Sequence, residues 1–254
     1  MNKLQLKKEY RVHVYETGPE GKLNLYSLFN FFQDIASEHA IKLGYGRDDL
    51  LKDHCFWVLS RMYAKITRMP SWEDTLIVTT WPRGTEKLFA IRDYEASYAD
   101  DKPIASATSS WLIVHNTTRK IQRPDNNLTG FNTVFPENKA LQRNAAKLEP
   151  VPNNSQISSE FKVNISDLDV NLHTNNVNYI KWVTDSYDLE FCMENTPHFV
   201  EINYLSESHY NDDIIIRSSK KEQDNNSFYN HSVYRSTDNT ELCRIRMGWK
   251  QNNL

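Results

Sequence analysis

The chain reads as an α+β protein in which one pattern of elements occurs twice. Three observations predict this. A helical pattern runs from Asn24 to Leu43, with Leu25, Leu28, Phe29, Phe32, Ile35, Ala36, Ala40 and Leu43 at three- and four-residue spacing. Four β-rich runs of roughly ten residues follow between Cys55 and His115, separated by turn-forming residues. After an aperiodic stretch, the order strand, helix, strands returns.

Taken in order, residues 10–16 (YRVHVYE) alternate apolar and polar and predict a strand. Asn24 opens the long helix and Gly44 stops it, and its many aromatics predict burial on most sides. The runs CFWVLSRMYAKITRM, DTLIVTTWPR, LFAIRDYEASYA and PIASATSSWLIVHN predict strands, with turns at 70–73, 83–86 and 100–102. Residues 132–157 lose both periods and carry Pro136, Pro150 and Pro152, which predicts a linker with one short helix. Beyond it, SEFKVNIS predicts a strand, a helix is expected to end near Met193, and FVEINYLSES, DIIIRSSK, FYNHSVYR and TELCRIRMGW predict strands. In the last of these, Cys243, Ile245, Met247 and Trp249 share a face. The expected organisation is therefore a domain over 1–131, a linker over 132–157 and a domain over 158–254.

The repeat also suggests a register. Asn24-Leu25 matches Asn171-Leu172 at an offset of 171 − 24 = 147, while Asp74 with Asp212 and Trp111 with Trp249 both give 138. On that alignment the first copy has nine extra residues between its helix and its strands.

Composition narrows the class. Hydrophobic residues make up 39% and charged residues 25%, as expected of a folded soluble protein, and a net charge of −3 gives no bulk basicity for nucleic acid. No apolar run is long enough to cross a membrane, and the first residues show no signal-peptide core. Cys55, Cys192 and Cys243 stand far apart without a CxxC, which predicts reduced thiols and a cytoplasmic location.

The stretch richest in chemistry is Asp167–Val183, DLDVNLHTNNVNYIKWV. If its first part is extended, Asp169, Asn171 and His173 lie on one face. Thr174 or Asn175 can cap the following helix, so an acid, an amide and an imidazole would stand beside electropositive N–H groups, including those of Asn175 and Asn176. That grouping suits hydrolysis of an acyl bond. No histidine has HExxH-type spacing, and the chemistry requires neither metal nor cofactor. Taken singly, an Asp or Asn in this place is most simply a helix cap, His173 a hydrogen-bonded structural histidine, and Glu207 a solvated strand-end residue.

This stretch, with NYLSES in the second half and MPSWEDTLIVTTWPRG, IRDYEAS and ASATSSWLIVHNTTRKIQRP in the first, resembles the acyl-acyl carrier protein thioesterases over nearly the whole length. The resemblance implies a tandem (double) hotdog, each copy a long helix wrapped by a curved antiparallel sheet. It implies catalytic roles for Asp169, Asn171, His173 and Glu207. A cysteine that follows this glutamate in plant members is Ser208 here, which speaks against a cysteine nucleophile. The early strand leaves no room for a plastid transit peptide, so the expected relative is a bacterial member.

Hydrolysis of a thioester needs a held water, a base and donors for the oxyanion. Glu207 or His173 can be the base, and a shared role is the preferred reading. Asn171 would donate to the thioester oxygen or hold the water, and Asp169 would orient Asn171 or the start of the helix. Transferred by the offsets above, these positions fall on Lys22, Asn24, Tyr26 and Met69, so the first copy is expected to keep only the amide and to shape an apolar acyl pocket. The expected partner is an acidic acyl carrier protein docking on basic residues such as Arg119, Lys120 and Arg123. An acyl-CoA thioesterase, a non-catalytic acyl-binding module and a dehydratase or hydratase are the rival readings. A homodimer is left open.

Overall fold

The structure, a computed structural model, describes residues 4–124, 138–223 and 226–252 of the 254-residue chain. It divides into two compact units, Met1–Ala145 and Ala146–Leu254.

The first unit runs β1 (Leu6–Arg11), a 3-10 turn (Val14–Glu16), α1 (Leu25–Lys42), α2 (Arg47–Lys52), β2 (Cys55–Ile66), β3 (Thr75–Glu86), β4 (Phe89–Ser97), β5 (Pro103–His115) and β6 (Ile121–Gln122). Its strands pair antiparallel in the order β1-β3-β4-β5-β2, with β6 added to β5. The helix is buried around more than one face: Ser27, Phe31 and His39 join Leu25, Leu28, Phe29, Phe32, Ile35 and Ala36 in the interior. That is the wrapping expected of a helix this aromatic. Phe32 meets Tyr94 of β4 at 5.0 Å between ring centroids. On the β1 side, Phe31 stacks on Tyr10 at 4.6 Å, and the Tyr10 hydroxyl donates to Asp34 at 2.6 Å.

Two local expectations shift. The first strand is Leu6–Arg11, not 10–16; Val14 and Tyr15 stand exposed in the 3-10 turn, so the alternation there has no sheet to face. The β3–β4 turn is at Lys87-Leu88 rather than 83–86, because β3 continues to Glu86, which pairs with Phe89. Gly84, at φ 125°, serves a β-bulge between Pro82 and Gly84 instead.

The second unit repeats this plan as β7 (Gln156–Lys162), a 3-10 turn (Ile165–Asp167), α3 (Asn176–Asp185), α4 (Leu189–Glu194), β8 (Asn195–Tyr204), β9 (Asp213–Gln223), β10 (Asn226–Arg235) and β11 (Thr240–Gln251). Its strand order, β7-β9-β10-β11-β8, matches the first unit strand for strand. Each unit is a hotdog, and the chain is a tandem of two. The single helix expected to reach Met193 is broken at Ser186–Asp188. There Tyr187 turns inward to a cluster with Phe191, Tyr229 and Trp249, all within 5.6 Å. In β11, Cys243, Ile245 and Met247 are buried as the alternation requires. A bulge at Gly248/Trp249 shifts the last residue out of that series.

The duplication is real, but its helix register differs from the one suggested by matching Asn-Leu pairs. The helix cap Asn24 corresponds to Asn175, an offset of 175 − 24 = 151. The same offset relates the bridges Thr17–Leu23 and Leu168–Thr174, the hydrogen bonds Gly18 N–Lys22 O and Asp169 N–His173 O, and the positive φ of Gly21 (69°) and Leu172 (62°). The strand offset of 138 holds: Ser71 N donates to Asp74 as His209 N does to Asp212. The first copy therefore has 151 − 138 = 13 more residues between the starts of helix and strands, not nine. Backbone roles align the copies where side-chain identities mislead.

Of the expected linker, residues 132–137 lie outside the described residues. The segment from Asn138 to Val151 is tied down by polar strand side chains. In the first unit, Trp81 Nε1 donates to Asn138 O at 2.9 Å and Ala140 N donates to Asp93 at 3.0 Å. In the second, Glu201, Asn203 and Ser232 accept from the backbone N–H of Ala146, Leu148 and Val151 at 2.6–3.0 Å. Those side chains are buried, and the aperiodic strap supplies each with a hydrogen-bond partner. Among the described residues, no helix is long and apolar enough to cross a membrane.

His231 of β10 is buried between the Tyr187 hydroxyl and Ser218 Oγ, at 2.7 Å from each ring nitrogen to its partner. Burial lowers its pKa to about 3, so the folded imidazole stays neutral while the unfolded one charges near pH 6.5. The unfolded state then binds the extra proton, so stability present above pH 6.5 is lost as pH falls toward 3, with a slope of roughly 1.4 kcal/mol per pH unit. Urea unfolding at pH 7.5 and pH 5 should show this loss, and His231→Asn should remove that component of the slope.

Candidate active site

The turn that leads into α3 is closed by its own side chains. Leu168 and Thr174 form a bridge, Asp169 N donates to His173 O at 2.8 Å, and Leu172 N donates to Asp169 O at 3.1 Å. Residues 169–173 are thus a tight turn, not the extended segment the sequence suggested. The Asp169 carboxylate is the reason: Oδ1 accepts from Asn171 N at 2.8 Å and from His173 N at 3.2 Å, which folds the chain around it. Its second oxygen, Oδ2, accepts from Asn171 Nδ2 at 3.3 Å, so Asp169 orients the amide directly.

The helix starts as the capping rules require. Asn175 is the cap, its Oδ1 accepting from Val177 N at 3.3 Å. Its own N–H donates to Asp167 O at 2.9 Å and so is not available to polarise a substrate carbonyl, contrary to the sequence expectation. Buried Asp167 anchors this corner through a carboxylate that accepts from Asn164 N and a carbonyl that also accepts from Asn178 Nδ2, both at 2.8 Å. Asp167 was not among the residues singled out; its signal is the acid three residues after Asn164, a capping-box spacing.

Glu207 comes to the turn from the segment after β8. Thr174 N donates to Ser208 O, and His173 bridges His209 across the same short ladder. This brings His173 Nδ1 to 3.6 Å from Glu207 Oε1, an ion-pair distance and too long for a direct hydrogen bond. Both side chains are partly open to solvent, at 29% and 41% exposure. The four predicted residues are therefore linked in sequence of contact: Asn171 to Asp169, Asp169 to the His173 backbone, and His173 to Glu207.

Ser208 faces the other way. It is fully buried, its Oγ donating to Thr174 Oγ1 at 2.7 Å and lying 2.9 Å from the Tyr179 hydroxyl. Burial pushes the Tyr179 phenol up, so it remains a neutral hydroxyl in this network. Alternation along the segment sends Glu207 and His209 outward and Ser208 inward. His209 is a site residue that the sequence reading missed. Its ring meets His173 edge-to-face at 5.0 Å, and the i, i+2 spacing from Glu207 was the available signal.

The corrected register changes what the first unit holds. Asp169, Asn171, His173 and Glu207 correspond to Gly18, Glu20, Lys22 and Met69, so the amide is missing there along with the acid, the imidazole and the carboxylate. Lys22 Nζ donates to Ser71 Oγ at 2.8 Å in the place of the His173–His209 contact. Two clefts of about 270 Å³ each lie elsewhere: one beside Arg83, Glu86 and Asn144, the other beside Phe161, Asp167 and Trp182. Neither is lined by the four predicted residues.

Comparison with known proteins accounts for both halves. The acyl-ACP thioesterase N-terminal domain matches residues 3–130, and the acyl-ACP thioesterase C-terminal domain matches residues 151–251. The chloroplastic oleoyl-acyl carrier protein thioesterase of Coriandrum sativum is 29% identical over 227 residues, covering 82% of this chain and 61% of its own length. Oleoyl-acyl carrier protein thioesterase 2 of Arabidopsis thaliana is 25% identical over 282 residues, covering 96% and 76%. This chain thus spans less than two thirds of the coriander protein. An acyl-ACP thioesterase from Bacteroides thetaiotaomicron has a TM-score of 0.88 at 22% identity, covering 98% of this chain and 100% of that one. For the 12:0-ACP thioesterase from Umbellularia californica the TM-score is 0.87 at 20% identity, covering 98% and 95%. These structural likenesses establish the tandem hotdog fold.

A buried, doubly bonded Ser208 is a packing residue. Ser208→Ala should cost about 1–2 kcal/mol of stability by leaving the Thr174 and Tyr179 hydroxyls short of a partner. Any thioester hydrolysis, measured at a temperature where the variant is folded, should stay within a few-fold of the parent rate; an inactive, folded variant would make Ser208 the nucleophile.

Proposed function

The chain belongs to the acyl-acyl carrier protein thioesterase family, and from that premise we propose that it hydrolyses fatty acyl-acyl carrier protein to a free fatty acid and the carrier thiol. The observation that carries the reading is the Glu207–His173 pair, 3.6 Å apart on a solvent-reachable turn. A water between them can lose its proton to the pair as it attacks the thioester carbon. The Asn171 amide, oriented by Asp169 through Nδ2, is the group assigned to the oxyanion. Collapse of the tetrahedral adduct breaks the carbon–sulfur bond, and the proton held by the pair passes to the departing thiolate. No step needs a cysteine or Ser208.

The apolar side chains Ile165, Val170, Leu172, Leu205 and Tyr210 are exposed on the segments that carry the pair, which supports an acyl-bearing substrate. We assign the acyl chain to the first unit, without catalytic residues of its own. What supports this is the apolar character of that unit around Trp57 and Trp111, which pack on Tyr45, Leu50, Cys55, Ala90 and Ile113. Arg119, Lys120 and Arg123 are exposed and are the proposed contacts for an acidic carrier. Three free cysteines fit a reducing cytoplasm.

Incubation with acyl-carrier thioesters of graded chain length, beside the matching acyl-CoA series, tests the substrate. Carrier thioesters should be turned over with the higher kcat/KM; a preference for the CoA series would make this an acyl-CoA thioesterase instead. Glu207→Ala and His173→Ala should each lower kcat by about 10²–10³ with unfolding midpoints unchanged. Near-normal rates in both variants would refute the assignment.

A further inference from the structure

We propose that His173, Glu207 and His209 form a binding site for a divalent transition-metal ion, zinc above all, and that occupying it stops hydrolysis. The ligating atoms of all three residues lie within 4.8 Å of one another. Two imidazoles and a carboxylate are a donor set that zinc favours, whereas calcium and magnesium want oxygen alone.

The backbone builds this cluster. His173 and His209 are cross-strand partners in a short antiparallel bridge, so their side chains leave the ladder on the same side. Glu207 lies two residues before His209 and shares that side, while Ser208 between them is bonded inward. Ligands about 2.0–2.2 Å from a tetrahedral ion sit roughly 3.3–3.6 Å apart. The His173 Nδ1–Glu207 Oε1 separation is already 3.6 Å, so a modest turn of the His209 ring completes the set. Arg235 is the nearby cation, its Nη1 3.5 Å from the Glu207 carbonyl oxygen, but it is paired with Asp212 at 3.2 Å and Asp238 at 2.9 Å. The field at the cluster is therefore not closed to a cation. The first unit, with Lys22, Met69 and Ser71 at the same positions, offers no such ligand set.

Metal binding follows from this geometry alone. Inhibition rests in addition on the reading of Glu207 and His173 as the groups that activate water, since an ion held by both removes them from that work.

The test uses the full chain after treatment with EDTA. Calorimetric titration with zinc chloride, and visible absorption on titration with cobalt chloride, should each show one ion per chain. His209→Gln should weaken binding at least tenfold, with a circular dichroism melt confirming the fold. No saturable binding by the parent protein, or equal affinity in His209→Gln, would overturn the site. Hydrolysis should fall with the midpoint of zinc binding and return on adding EDTA, each protein normalised to its metal-free rate. A metal-free protein without thioesterase activity would count against the proposed function and leave the metal site standing on calorimetry. Unchanged or faster hydrolysis by a zinc-loaded, otherwise active protein would overturn the inhibitory half only.

Discussion

The carboxylate of Asp169 is the constraint on which the arrangement around the turn depends. By accepting the N–H groups of Asn171 and His173 it closes the chain on itself. The closed turn in turn sets the ladder on which His173 faces His209 and Thr174 receives the Ser208 carbonyl. The amide, the imidazole and the carboxylate of Glu207 take their places from that one local bond pattern. Leu172, at φ 62°, shows the strain it carries, since the equivalent first-unit position is Gly21. A leucine held in a left-handed conformation needs surroundings that over-determine it, and here they are the Asp169 bonds.

Duplication separates scaffold from chemistry. Both units use a 3-10 turn, a tight turn, a helix with asparagine at its N-cap and the same order of five antiparallel strands, to which the first unit adds β6, with matching backbone hydrogen bonds at offsets of 151 and 138. What differs is the side chains on the turn and on the segment it pairs with. In the first unit these are a glycine, a glutamate, a lysine and a methionine, which cannot share a water as a base pair would. The strap follows similar logic within each unit: buried Asp93, Glu201, Asn203 and Ser232 accept backbone N–H groups that would otherwise be orphaned.

Legibility in the sequence followed the range of the interactions concerned. The long helix was readable to within a residue because its cap, its spacing of apolar side chains and its terminal glycine are all local. Strands β2 to β5 were readable for the same reason, each having its own alternation and turn residues. Failures came where distant atoms decide. The β3–β4 turn moved because pairing carried β3 past Gly84, and the second helix broke because Tyr187 is drawn into an aromatic cluster supplied by β10 and β11. The helix offset was misjudged because two Asn-Leu pairs are identical in letters and different in backbone role.

By itself the sequence determined the α+β class and the doubling of one unit, which are written in residue types and their spacing, and its resemblance to the family, in motifs that are also local, pointed to the four polar residues. The tertiary structure alone decided that Asp169, Asn171 and His173 share a turn rather than a strand face, that Ser208 points inward, and that His209 joins His173 and Glu207. The reason is physical: an antiparallel bridge between segments more than thirty residues apart sets which side chains emerge together, and a linear pattern carries no record of that register.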